Sequence, residues 1–317
     1  MKIRTGEIDT HVQYLPAAGR EDMQGEPPVV VFVHGLLTDS LASFYFTLGP
    51  VFAAQGIDVI MYDLRGHGRS DRPESGYQIE CFVDDFVALL DALGERRKVH
   101  VVGNSFGGTV AAGVAAWHPE RVATLTLIEA EPPVQRWTRH MAEGLALAKE
   151  QLVYDEVIDW IKENRGAQTA RLSRIAGRIL NSTTLGAEVW SGRVIDDDLS
   201  AITCPVLAIF GEESGLVAQV PLFEATLECR TVVLPDQGHS VLIERTKETR
   251  DLLLGWIREH DVSEREQHAR GRPQHERCET GEHEHEGREH GGRGHEDREH
   301  DGREQGRRRH ELAEAVQ

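Results

Sequence analysis

Val99-His100-Val101-Val102-Gly103-Asn104-Ser105-Phe106-Gly107-Gly108 reads as a buried strand, a tight turn and the opening of a helix in immediate succession. The β-branched run before Gly103 suits a strand covered on both faces. The small residues that follow Phe106 suit a closely packed helix ending before Pro119. Glycines on both sides of Ser105 let neighbouring backbones approach closely. Such a turn lifts the serine hydroxyl above the sheet edge and aims the free N–H groups of the helix start at the same point. A bare G-x-S-x-G string is weak evidence; with a strand before it and a helix after it, the string predicts a nucleophile.

On either side of this turn, short apolar runs alternate with stretches of helical period, the pattern of a parallel sheet wrapped by helices. Strands are expected at residues 29–34, 57–62, 98–102, 122–128, 206–210 and 230–234, with a hairpin or antiparallel edge within 3–14. Helices are expected at 77–93, 106–117 and 243–259. Between the strands ending near 128 and starting near 206, helical periodicity replaces strand signals. Met141, Leu145, Leu147, Leu152, Tyr154, Val157, Trp160 and Ile161 trace at least one long helix there, and a further one is expected near 172–180. An insertion of helices at one strand end, about 131–202, is most simply a cap over a site.

The chain has 317 residues and a net charge of −18, which disfavours nucleic acid and other polyanions as partners. A catalytic domain is expected over residues 1–262, and a tail at 263–317 of Glu, Arg, His and Gly, too poor in apolar residues to fold on its own. Eight histidines in that tail could hold Ni²⁺ or Zn²⁺ weakly, but a solvated mixed-charge tail is the simpler reading, and no metal site or cofactor is expected. The four cysteines are scattered without a C-x-x-C pair and read as free thiols. A polar amino terminus and the lack of a membrane-spanning apolar run lead to the expectation of a cytoplasmic protein without a membrane partner.

Over residues 25–260 the chain resembles the α/β-hydrolase superfamily. Besides the elbow at Ser105, Val33-His34-Gly35-Leu36-Leu37 resembles its His-Gly oxyanion loop, and Asp63-Leu64-Arg65-Gly66-His67-Gly68-Arg69-Ser70 resembles the loop after its fourth strand. Gln237-Gly238-His239, after the last expected strand, is placed like its catalytic histidine. The resemblance implies an α/β fold with a mostly parallel eight-stranded sheet and a helical cap. It also implies Ser105 as nucleophile, His239 as general base, and an oxyanion held by the backbone N–H groups of Leu36 and Phe106. His34 and His67 lie in loops whose family role is structural. Asp63 and Arg65 read as a structural pair holding the loop after the fourth strand.

The triad acid departs from the common pattern. Where the family most often has Asp after the seventh strand, Gly211-Glu212-Glu213-Ser214 has a serine, which carries no charge to stabilise an imidazolium. Some branches place a Glu directly after the sixth strand, and Glu129 matches that placement. Glu129 is therefore the expected acid, with Glu213 and Glu131 as the alternatives.

A serine at the elbow suits attack on an acyl carbonyl. Trp137, Met141, Trp160 and Trp190 offer apolar surface to a medium-sized ester, thioester or lactone, free or carrier-linked, although such residues also serve to pack helices. Two readings compete with the esterase: a hydrolase of carbon–carbon bonds of the ring-cleavage-product type, and a non-enzymatic ligand receptor. A homodimer is compatible with the sequence.

Overall fold

The valine-rich runs pair side by side because each is apolar on both faces and must be covered twice. The computed structural model describes residues 1–23, 25–197 and 199–270. Among them, β1 (Lys2–Thr5), β2 (Ile8–Leu15), β3 (Val29–Val33), β4 (Asp58–Tyr62), β5 (Val99–Asn104), β6 (Val122–Ile128), β7 (Val206–Gly211) and β8 (Cys229–Leu234) form one sheet. Their order is β1-β2-β4-β3-β5-β6-β7-β8. β1 with β2 and β2 with β4 are antiparallel, while the pairings among β3 to β8 are parallel. This is the expected α/β architecture.

The helices are α1 (Ala42–Tyr45), α2 (Gly49–Ala54), α3 (Ile79–Ala92), α4 (Phe106–Trp117), α5 (Gln135–Gln151), α6 (Asp155–Arg165), α7 (Ala167–Ser182), α8 (Leu185–Glu188), α9 (Val220–Thr226), α10 (Val241–Glu244) and α11 (Thr246–Arg270). Alternation along β3 divides the core into two layers. Val29, Val31 and Val33 face a cluster that includes Phe82 and Phe86 of α3 and Val110 and Val114 of α4. Val30 and Phe32 face Phe44, Phe52, Leu253 and Ile257 on the other side.

α5 to α8 occupy the stretch between β6 and β7. The stretch from Met141 to Ile161, expected to hold at least one long helix, holds parts of two, α5 and α6, separated at Leu152, Val153 and Tyr154. The break has a packing cause. Leu152 is buried with its carbonyl against Gly177 of α7, while Val153 and Tyr154 turn out to solvent. α11 runs to Arg270, past the domain boundary expected at residue 262. The rest of the expected tail, with Cys278 and seven of the eight tail histidines, lies outside the described residues.

Parallel pairing brings the carboxyl ends of the strands to one edge. Asn104 pairs with Ile128, Ile128 with Ile209, and Phe210 with Val233. The next residue of each strand therefore leaves the sheet at the same level. Two cross-links hold that level: Ser105 N–H donates to the Ile128 carbonyl and Glu129 N–H to the Ile209 carbonyl, both at 2.9 Å.

Candidate active site

Ser105 sits between β5 and α4 at φ 52°, ψ −127°, a backbone region non-glycine residues seldom occupy. The neighbouring glycines make this turn possible. A Cβ on Gly107 would collide with the Val33 carbonyl, and one on Gly103 with the backbone of Gly107. Leu37 (φ 61°) and Glu129 (φ 49°) share the left-handed region. Strained backbone of this kind concentrates where the surroundings over-determine a functional geometry.

His239 follows β8 through the turn at Asp236-Gln237-Gly238, and its Nε2 lies 3.0 Å from Ser105 Oγ. Its Nδ1 lies 3.1 Å from Glu129 Oε2. With Glu129 ionised, Nδ1 must carry the proton that donates to it. Nε2 is then the free acceptor facing the serine hydroxyl. Glu129 is fully buried and its carboxylate is satisfied by three donors: His239, the Gly211 N–H on Oε1, and the Ser214 hydroxyl at 2.6 Å on Oε2. Full pairing is what makes a buried carboxylate tolerable.

The structure brings Glu129, and neither alternative acid, to the imidazole. Glu213 is exposed, its backbone N–H bonded to the Gln237 carbonyl. Glu131 is buried in a separate polar cluster. Its Oε1 accepts from Arg136 Nε at 2.7 Å and Gln219 Nε2 at 3.0 Å, and Arg136 also donates to Gln219 Oε1. That cluster ties the exit of β6 to the first turn of α5 and to the 3-10 turn before α9. Nothing in the sequence pattern joined these three positions.

The loop carrying Leu36 is held on both sides. Gly35 N–H donates to Asp39 Oδ2 at 2.7 Å, and Leu37 N–H donates to His67 Nε2 at 2.7 Å. His34 returns the bond, its Nε2 accepting Leu64 N–H at 3.0 Å. The loops after β3 and β4 thus exchange one imidazole acceptor each. His34 Nδ1 donates to the Gly35 carbonyl and His67 Nδ1 to the Arg65 carbonyl, which fixes both as neutral rings. Burial and the nearby His34 ring push His67 down to about 3.

Asp63 and Arg65 are not partners of each other. Asp63 accepts from His11 Nδ1, Leu41 N–H and Arg69 N–H, and Arg65 forms a two-pronged pair with Asp85 at 2.7 and 2.8 Å. Both are structural, as expected, but they anchor the loop to different elements.

A cleft of about 740 Å³, counting its open mouth, lies over Ser105 and His239. Leu36, Phe106 and Leu216 line its sheet side, and Trp137, His140, Met141, Gly144 and Leu145 of α5 its other wall. Of the four apolar residues singled out from sequence, Trp137 and Met141 line the cleft. Trp160 is exposed on α6, and Trp190 is half-buried with its indole N–H on the Gly186 carbonyl; neither lines the cleft. His140 was not identifiable from sequence, because only the orientation of α5 brings it in. Among the described residues, no cluster of three metal-ligating side chains is found and no helix is long and apolar enough to cross a membrane.

A family model for the alpha/beta hydrolase fold matches residues 28–161. The chain is similar to a non-heme chloroperoxidase of Streptomyces lividans, 40% identical over 114 residues (36% of this chain and 40% of that protein). It is also similar to a bifunctional esterase/perhydrolase of Acinetobacter calcoaceticus, 35% identical over 143 residues (44% and 49%). The chain thus spans less than half the length of either relative. Among solved structures, an N-acyl homoserine lactone degrading enzyme superposes with a TM-score of 0.60 at 27% identity, covering 80% of this chain and 99% of that one.

Proposed function

Because this chain belongs to the α/β-hydrolase family, we propose that it is a serine hydrolase that cleaves a carboxylic ester, thioester or lactone through an acyl-enzyme. The observation that carries this reading is the unbroken relay from Ser105 Oγ to His239 to Glu129, at 3.0 and 3.1 Å. Similarity to an esterase/perhydrolase and to a lactone-degrading enzyme supports the acyl–oxygen class of substrate.

In this reading His239 Nε2 removes the Ser105 proton as Oγ adds to the carbonyl carbon. The oxyanion is held by the N–H groups of Leu36 and Phe106, two residues that line the cleft together with Ser105. Glu129 stays ionised and stabilises the imidazolium. His239 then gives its proton to the leaving alkoxide or thiolate. Water, deprotonated by the same nitrogen, attacks the acyl-enzyme and releases the acid. The helical segment α5–α8 acts as a cap that limits water in the cleft.

Labelling by a fluorophosphonate and turnover of p-nitrophenyl esters, each compared with Ser105→Ala, test the proposal. Both signals should vanish in the variant. Labelling that persists, or ester turnover by a folded Ser105→Ala protein at the wild-type rate, would overturn it.

A further inference from the structure

We propose that the acyl group of the substrate lies along α5 and that Gly144 sets the chain length the cleft accepts, a refinement that rests on the acyl-enzyme reading above. The α5 residues that wall the cleft are Trp137, His140, Met141, Gly144 and Leu145. Spacings of three and four place them on one stripe, so the cleft follows the helix axis for two turns.

The reacting end of that stripe is fixed by Trp137, whose ring stacks on Phe106 with centroids 6.3 Å apart and planes 21° apart. Phe106 is the residue after the nucleophile. The far end is Leu145, which is buried at 3% exposure. At about 1.5 Å per residue, Trp137 to Leu145 spans about 12 Å, the length of an extended chain of roughly eight to ten carbons. The lining holds no lysine or arginine, and the α5 wall is apolar apart from His140. The matching substrate class is an uncharged, medium-length acyl group.

Gly144 is the one position of the stripe that presents no side chain to the cleft. It is the single glycine of α5, in the helix interior, where glycine is less favourable than alanine by about 1 kcal/mol. No helix end or tight turn explains it. A side chain at this position would project from the stripe that faces the acyl chain.

The test is the kcat/KM profile of the full chain over p-nitrophenyl acetate, butyrate, hexanoate, octanoate and dodecanoate, with Gly144→Ala, Gly144→Phe and Leu145→Ala. Wild type should peak at hexanoate or octanoate. Gly144→Phe should lower the octanoate-to-acetate ratio about tenfold or more, mainly through KM for octanoate, and Leu145→Ala should move the peak to a longer ester. Should the phenylalanine variant not fold, Gly144→Ala, which favours the helix, should still lower the ratio about threefold. A wild-type profile that peaks at acetate, or a ratio unchanged in a folded Gly144 variant, overturns this assignment and leaves the acyl-enzyme reading standing. Absence of Ser105-dependent turnover on every ester overturns both.

Discussion

Ser214 donates its hydroxyl to Glu129 Oε2 at 2.6 Å, the same oxygen that His239 Nδ1 approaches at 3.1 Å. The loop after β7 therefore orients the carboxylate that leaves the neighbouring strand β6. β6 and β7 are paired in register, which brings the residue leaving β6 against the loop that follows β7. Removing the hydroxyl should lower kcat for p-nitrophenyl butyrate about tenfold in Ser214→Ala, with the fold intact, because one of three donors to a buried carboxylate is lost. Steady-state kinetics with a thermal melt on the same sample check this.

Glu129→Gln should be far more damaging. An amide cannot stabilise the imidazolium and can turn its NH₂ toward Nδ1, favouring the wrong tautomer. A fall in kcat of about 10³-fold or more is expected, with circular dichroism unchanged. Activity close to wild type would remove Glu129 from the mechanism.

Acid should destabilise the protein through buried neutral histidines. Burial, then His34, holds His67 at about 3, and burial, then His260, holds His100 at about 4, both below the ordinary 6.5. Below 6.5 the unfolded chain binds these protons and the folded chain does not, so stability rises with pH across this window. It is fully present above 6.5 and is lost as pH falls toward about 4 and then about 3. Each ring contributes a slope of up to about 1.4 kcal/mol per pH unit. Urea unfolding at pH 7.0, 6.0 and 5.0 should show this decline, and His100→Gln should make it shallower.

Asp85→Asn should lower unfolding free energy by about 3–5 kcal/mol, since it leaves the Arg65 guanidinium buried without its carboxylate. Both side chains are at most a tenth exposed. Arg65 also donates to the Gly76 carbonyl, so the loop after β4 should loosen as well. Denaturant titration of the variant measures the loss, and a change below about 1 kcal/mol would assign the pair no stabilising role.

The sequence was a faithful guide where chemistry and backbone shape coincide. Ser105 was legible because only glycines fit the approach of α4 to β3, and His239 because it follows the last strand of a fixed order. Glu129 was legible as a charge at the point where an apolar strand ends. The break between α5 and α6 was not, because Leu152 keeps the helical spacing and only its contact with α7 turns the chain. The Glu131–Arg136–Gln219 cluster was equally hidden, joining residues as far as 88 positions apart with no shared motif.

What the sequence determined by itself was the succession of the parallel strands and the tight turn at Ser105, since these follow from local periodicity and turn stereochemistry. Tertiary structure decided which carboxylate meets the imidazole, which aromatic side chains face the cleft and how the two loops after β3 and β4 hold each other. Those outcomes depend on strand register and helix orientation, which arise from side chains distant in the chain packing against one another.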